Sequence, residues 1–211
     1  MADVKPYPVT VTGELSVPPG QWQWIFKWLL AIPQYIVLAF LFIASFFATV
    51  YAFFAILFTG KYPRGVFDFN VGVMRWSWRV GFYAYQTLGT DKYPPFSLDK
   101  GGYPADLDVE YPEKLSRGLV LIKWWLLAIP HYIIVGIFTG GIFGWDWMKW
   151  KFQPPGLIPL LALFSAIYLL FTGKYPEQLF KLIIGMQRWS YRVGGYAGLM
   201  TDKYPPFKLW D

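Results

Sequence analysis

Apolar positions in the first half of the chain run almost without interruption. From Trp28 to Phe58, 31 residues carry no charge, where a membrane crossing needs roughly 20. As one helix the stretch would measure about 46 Å. The pattern then changes. Over Arg64–Gln86 the charged positions Arg64, Asp68, Arg75 and Arg79 follow at spacings of four and seven, with Gln86 closing the series. They share one stripe of a helix, while Phe67, Val71, Met74, Trp78 and Phe82 cover much of the rest. An amphipathic helix is predicted, lying in a membrane plane or packed across the apolar helices. A true crossing would hold two arginines near mid-bilayer at considerable cost. Ahead of the apolar run, Val9 and Val11 alternate with Thr10 and Thr12, the pattern of a short strand.

The same series then returns. FKWLLAIPQYI at 26–36 recurs as KWWLLAIPHYI at 123–133, and LFTGKYP at 57–63 recurs at 170–176. RWSWRVG at 75–81 becomes RWSYRVG at 188–194, and TDKYPPF at 90–96 recurs at 201–207. The openings also match: YPVTV at 7–11, and YPADLDV at 103–109, where Leu107 and Val109 alternate with acidic residues. Order is kept throughout, which reads as an internal repeat, with halves 1–99 and 100–211. The second amphipathic segment keeps its stripe as Glu177, Lys181, Arg188 and Arg192. The Arg64–Asp68 pair is replaced there by Glu177–Lys181, an i,i+4 pair of reversed sign. Two short strands with exposed edges would be satisfied by pairing with each other.

The copies differ in the middle of the apolar region. The second has about sixteen extra residues, including FGWDWMKWKFQPPG at 143–156, and so divides into apolar segments over 119–143 and 157–171. Two readings follow for the first copy: one very long helix, or a hairpin turning near Ala44–Thr49. Charge placement favours the hairpin. Lys61, Arg64, Arg75, Arg79 and Lys92 follow the apolar region in one copy, and Lys174, Lys181, Arg188, Arg192 and Lys203 in the other. The positive-inside rule puts both clusters on the cytoplasmic side, which requires an even number of crossings per copy. The expected fold is an all-α membrane protein of tandem helical hairpins and amphipathic interfacial helices, with a short N-terminal strand in each repeat.

Composition agrees with this solvent. Of 211 residues, 55% are hydrophobic and only 15% charged, against about 25% charged in an average soluble domain. Residues near Met1 lack the apolar core of a signal peptide. Cysteine is absent, so disulfides and thiolate metal sites are excluded. The net charge of +6 is scattered along the flanks of apolar segments. That suits lipid headgroups better than nucleic acid, and no nucleic-acid partner is expected.

Together, LLAIPHY, the aromatic-rich apolar region, LFTGKYPRGVFDFNVGVMRWSWRV and TDKYPPF resemble a bacterial membrane family, the domain of unknown function DUF4389, present as two tandem copies. Gln34 stands where that family often has histidine, and the second copy lacks the PRG and FDF elements at Glu177–Lys181. The resemblance implies an integral protein of the bacterial inner membrane. It implies no catalytic residue, cofactor or substrate.

Candidate chemistry is sparse. His131, the only histidine, aligns with Gln34, and each follows a proline, Pro130 or Pro33. Either side chain could satisfy backbone carbonyls freed at a proline kink. As a polar group in an apolar segment, His131 could instead serve a proton relay or a quinone contact; a metal site lacks further ligands. Arg75, Arg79, Arg188 and Arg192 are candidates for contact with acidic lipid or a partner. The loop residues Trp145, Trp147 and Lys149, around Asp146, are candidates too. No cofactor, nucleotide loop or catalytic triad is expected. Three functions remain in view. The favoured one is a non-catalytic accessory or scaffold subunit, contacting membrane lipids and other integral membrane subunits. The others are a small transporter or channel, and a lipid-binding or lipid-handling protein.

Overall fold

A computed structural model describes residues 6–15, 19–140 and 155–210. It is mostly helical with one two-stranded sheet. The elements are β1 (Val9–Gly13), α1 (Lys27–Thr59), α2 (Arg64–Tyr83), β2 (Ala105–Val109), α3 (Leu119–Ile122), α4 (Ile129–Thr139), α5 (Leu157–Thr172) and α6 (Glu177–Ala197). A five-residue π-helical segment, Lys123–Leu127, joins α3 to α4.

The first copy does not turn near Ala44–Thr49; α1 is one helix of 33 residues. This corrects the expected hairpin. Nothing between Ala44 and Thr49 breaks a helix, and the Thr49 hydroxyl donates to the Ser45 carbonyl four residues back at 2.8 Å, within the helix. The chain reverses one element later. Gly60 ends α1 in the left-handed conformation, φ 72°, and donates its N–H to Ile56 O. Pro63 then caps α2. In the second copy Gly173 (φ 67°) and Pro176 repeat this junction between α5 and α6.

The second copy builds the counterpart of α1 from two pieces. Counting from the matched prolines, α4 corresponds to the part of α1 before residue 43. Counting from the matched GKYP turns, α5 corresponds to the part after it. Their ends meet: a Cβ on Gly156 would lie 2.3 Å from the Gly140 nitrogen. Burial follows the same register, with Ala52 and Ile56 of α1 matched by Ser165 and Leu169 of α5.

Only a narrow stripe of α1 is covered: Lys27, Ala31, Gln34, Leu38, Ala52 and Ile56. The remaining faces are apolar and exposed, among them Phe40, Phe46, Phe47, Phe54 and Phe58. Among the described residues α1 is the one helix that alone is long and apolar enough to cross a membrane. The segments 119–127 and 129–139, bent by 45°, meet the same test as a pair.

Burying α2 and α6 takes the two strands, used crosswise. β1 and β2 pair antiparallel, with Val9 opposite Val109 and Val11 opposite Leu107, and these residues face the core. β2, from the second half, lies on α2 of the first; β1, from the first half, lies on α6 of the second. The exchange continues beyond the strands. Tyr7 donates to Lys203 O at 3.0 Å and Tyr103 to Lys92 O at 2.8 Å, so each opening tyrosine reaches the TDK turn of the other half. Tyr62 and Tyr175 of the two GKYP turns likewise donate across, to Gly198 O and Thr87 O. Divided at 99/100, as the repeated motifs suggest, each half supplies the strand that covers the other.

Candidate functional site

The proline segments come first. Gln34 is fully buried and bridges two elements: its Nε2 donates to Pro94 O at 2.7 Å, and its Oε1 accepts from Trp76 Nε1 at 2.7 Å. His131 occupies the matching position, where Nδ1 accepts from Trp189 Nε1 at 3.0 Å. Its ring stacks on Phe207, with centroids 4.3 Å apart. An accepting Nδ1 places the proton on Nε2. The carbonyl of Pro205, counterpart of Pro94, acts on the ring, but Nε2 completes no hydrogen bond of ordinary geometry among the described residues. Neither side chain serves its own helix at the kink, as the sequence suggested. Tyrosines from the KYPP turns reach the helix near the kink: Tyr93 donates to Leu30 O at 3.1 Å and Tyr204 to Leu127 O at 3.2 Å, each three residues before the proline.

A proton relay fits His131 poorly, because protonating Nδ1 would oppose two N–H groups. H131Q is therefore expected to change stability by less than about 1 kcal/mol, since the sister copy shows that glutamine can make both bonds. H131L would strand the buried Trp189 N–H and cost about 1–3 kcal/mol. Thermal unfolding of the two variants in detergent checks the difference.

A second arrangement escaped the sequence. Lys27, the charge that interrupts the apolar region, is buried and donates to Thr90 O at 2.7 Å while pairing with Asp91 at 2.8 Å. Lys123 does the same with Thr201 O and Asp202, at 3.1 and 2.7 Å. Each lysine also stands near a tyrosine face, Tyr83 or Tyr196. Aligning the LLAIP motifs hides this match, because KWLLAIP has one tryptophan where KWWLLAIP has two. The π-helical turn at Lys123–Leu127 absorbs the extra residue, so lysine and proline keep their places. Deleting Trp124 is expected to turn that segment α-helical with a stability change within about 1 kcal/mol. A large loss on thermal unfolding would contradict this account of the π-helix.

The arginine stripe is not solvated. Arg75 donates to Leu107 O and Leu98 O, each at 2.8 Å, and meets Asp106 and Asp108 at 3.1 and 3.2 Å. Arg79 is fully buried, donating to Asp99 O at 2.7 Å and facing Asp106. Arg192 is buried as well, donating to Lys208 O with its guanidinium near the Tyr7 ring. Arg188 is half-buried and reaches Val11 O. The expected headgroup stripe is thus corrected for Arg75, Arg79 and Arg192. The strands lie over these helices, and the acidic positions of β2 supply the counter-charge to Arg75 and Arg79. The Arg64–Asp68 end of α2 is exposed, paired at 3.1 Å, as are Glu177 and Lys181 of α6. Trp145, Trp147 and Lys149, with Asp146, lie outside the described residues.

Between the halves lies a cleft of about 340 Å³, lined by Ser45 and Thr49 of α1, Asn70 of α2, Gln86, and Gln187 and Tyr191 of α6. Ser45 donates to Asn70 Oδ1 at 2.7 Å, and Asn70 Nδ2 donates to Thr49 Oγ1 and to the buried Tyr62 hydroxyl. Gln187 Nε2 donates to Gln86 Oε1 at 3.2 Å. Burial pushes the Tyr191 phenol up to about 12, so it is neutral at physiological pH. Among the described residues no Asp, Glu, Lys, Arg or His lines the cleft. Sequence reasoning missed it, although Ser45 and Thr49 at i,i+4 offered a signal. Among the described residues no group of three histidines or carboxylates has metal-holding geometry.

The model of the domain of unknown function DUF4389 matches residues 21–97 and 157–208, more than half of the chain. The first segment takes in α1, α2 and the first TDKYPPF; the second takes in α5, α6 and the second TDKYPPF. No curated protein and no solved structure matches the chain.

Proposed function

Because the chain belongs to the DUF4389 family, we propose that it is two tandem copies of that domain, acting as a non-catalytic accessory or scaffold subunit of a larger complex in the bacterial inner membrane. The observation that carries this reading is the distribution of exposure along α1. Charged and polar groups of its covered stripe, Lys27 and Gln34, are paired inside the chain. Its outward faces, set with phenylalanines 49–71% exposed, have no partner among the described residues. Such a surface is at rest in lipid or against another apolar helix. The outward faces of α4 and α5 are similar, with Ile133, Phe164 and Phe171 exposed. In this orientation the basic GKYP turns lie toward the cytoplasm. Transport is less well supported, because His131 is buried among aromatic rings and the described residues of the cleft carry no charge at physiological pH.

Purification of the full chain in a mild detergent tests the proposal. A stoichiometric complex with other membrane subunits is expected; a protein that is monomeric at every detergent concentration argues against an accessory role.

A further inference from the structure

The two copies act as controls for each other, and in the cleft they disagree. Where α1 meets α2 in the first copy, Ser45, Thr49 and Asn70 form a hydrogen-bonded set. The matching positions of the second copy are Ile158, Ala162 and Ile183, which pack in one apolar cluster. The repeat therefore folds without polar groups at this point. In the opposite wall, Gln187 stands where the first copy has Met74. Polar side chains that packing does not need converge from both halves on one cleft.

What these groups offer defines the ligand. Gln187 is 96% buried by its 4% exposure, and among the described residues no hydrogen bond engages its Oε1; Gln86 Nε2 is likewise open. Among the described residues the set provides donors and acceptors but no charge. An anionic headgroup would find no counter-ion here, whereas hydroxyls and ester carbonyls would find partners. Met74, Met200, Gly194 and Gly198 complete the wall with apolar surface. The volume suits the polar end of such a molecule, and Ser45 and Thr49 place it midway along the long apolar helix α1, whose outer faces are open to the chains.

We propose that this cleft binds a neutral lipid of the diacylglycerol class through its hydroxyl and ester groups. The inference rests on the membrane-embedded reading above, and the two fail separately: release of the protein from membranes by alkaline carbonate would remove that reading, whatever the cleft binds.

The test uses the full chain in detergent, titrated with a fluorescent diacylglycerol and with the phosphatidylglycerol of the same chains. The triple variant S45I/T49A/N70I copies the second half, and Q187M copies the first. Each is expected to weaken diacylglycerol binding at least about tenfold, equal to one hydrogen bond's worth of affinity, with phosphatidylglycerol bound weakly throughout. Unchanged diacylglycerol affinity in folded Q187M overturns the proposal, even if the triple variant fails to fold. Equal affinity of the wild-type protein for both lipids overturns it too.

Discussion

Replacing Asp91 with alanine is expected to destabilise the protein by about 3–5 kcal/mol, because it leaves the Lys27 ammonium buried without its counter-charge. Lys27 is 1% exposed, and what remains to it is the Thr90 carbonyl and the face of Tyr83. Asp91 also accepts the Gly20 N–H, so the loss reaches the segment before α1. D202A should behave alike, freeing Lys123 and the Ser116 N–H. The double variant K27M/D91A separates charge from shape. Methionine fills much of the lysine's path without a charge, and most of the lost stability should return. Unfolding followed in detergent decides. A single D91A loss below about 1 kcal/mol would mean that Lys27 finds water or neutralises at little cost.

The second large effect is expected at Arg79. R79A should cost about 2–5 kcal/mol, since it empties the space of a fully buried side chain, strands the Asp99 carbonyl and leaves Asp106 to Arg75 alone. R79K should recover little, because an ammonium cannot reproduce the planar fork. R64A, by contrast, touches an ion pair more than half exposed on both sides, and should change stability by less than about 1 kcal/mol. The losses should be local in origin. Hydrogen exchange in R79A should speed first at the β2 amides, Leu107 among them, because Arg75 and Arg79 hold that strand and the loop before it on α2. Equal loss of protection in α5 would instead indicate global unfolding.

These expectations trace to features that the sequence displayed unevenly. Alternation at Val9, Val11, Leu107 and Val109 announced both strands, and the need to satisfy their edges announced the pairing. GKYP announced a helix end and a helix start, because glycine and proline impose their own backbone geometry. The arginine stripe was visible, but not its burial. Amphipathic spacing says that one face is polar; it does not say whether water or acidic residues from a strand cover that face. The carboxylates that pair with Arg75 lie more than 30 residues away in sequence, in a segment belonging to the other copy. Charge counting also misled. It favoured an even number of crossings inside the apolar region, where the chain in fact turns only at Gly60, after the whole of α1. The Lys27–Asp91 clasp was obscured by one inserted tryptophan, which shifts the motif alignment by one residue but leaves the three-dimensional position of the lysine intact.

The cleft was least legible. Serine and threonine within an apolar helix usually bond back to their own turn, as Thr49 and Ser165 do. Their meeting with Asn70 and Gln187 depends on how α2 and α6 approach each other, and that approach is set by the exchanged strands rather than by any local motif.

The outward face of α1 carries the central claim, and a photo-crosslinking residue at Phe47, 65% exposed, tests it most directly. Irradiated in intact cells, that variant should yield a discrete adduct with another membrane protein. The same probe at buried Ile56 should yield none. Lipid adducts alone at Phe47, or a soluble unlinked chain, would contradict the account.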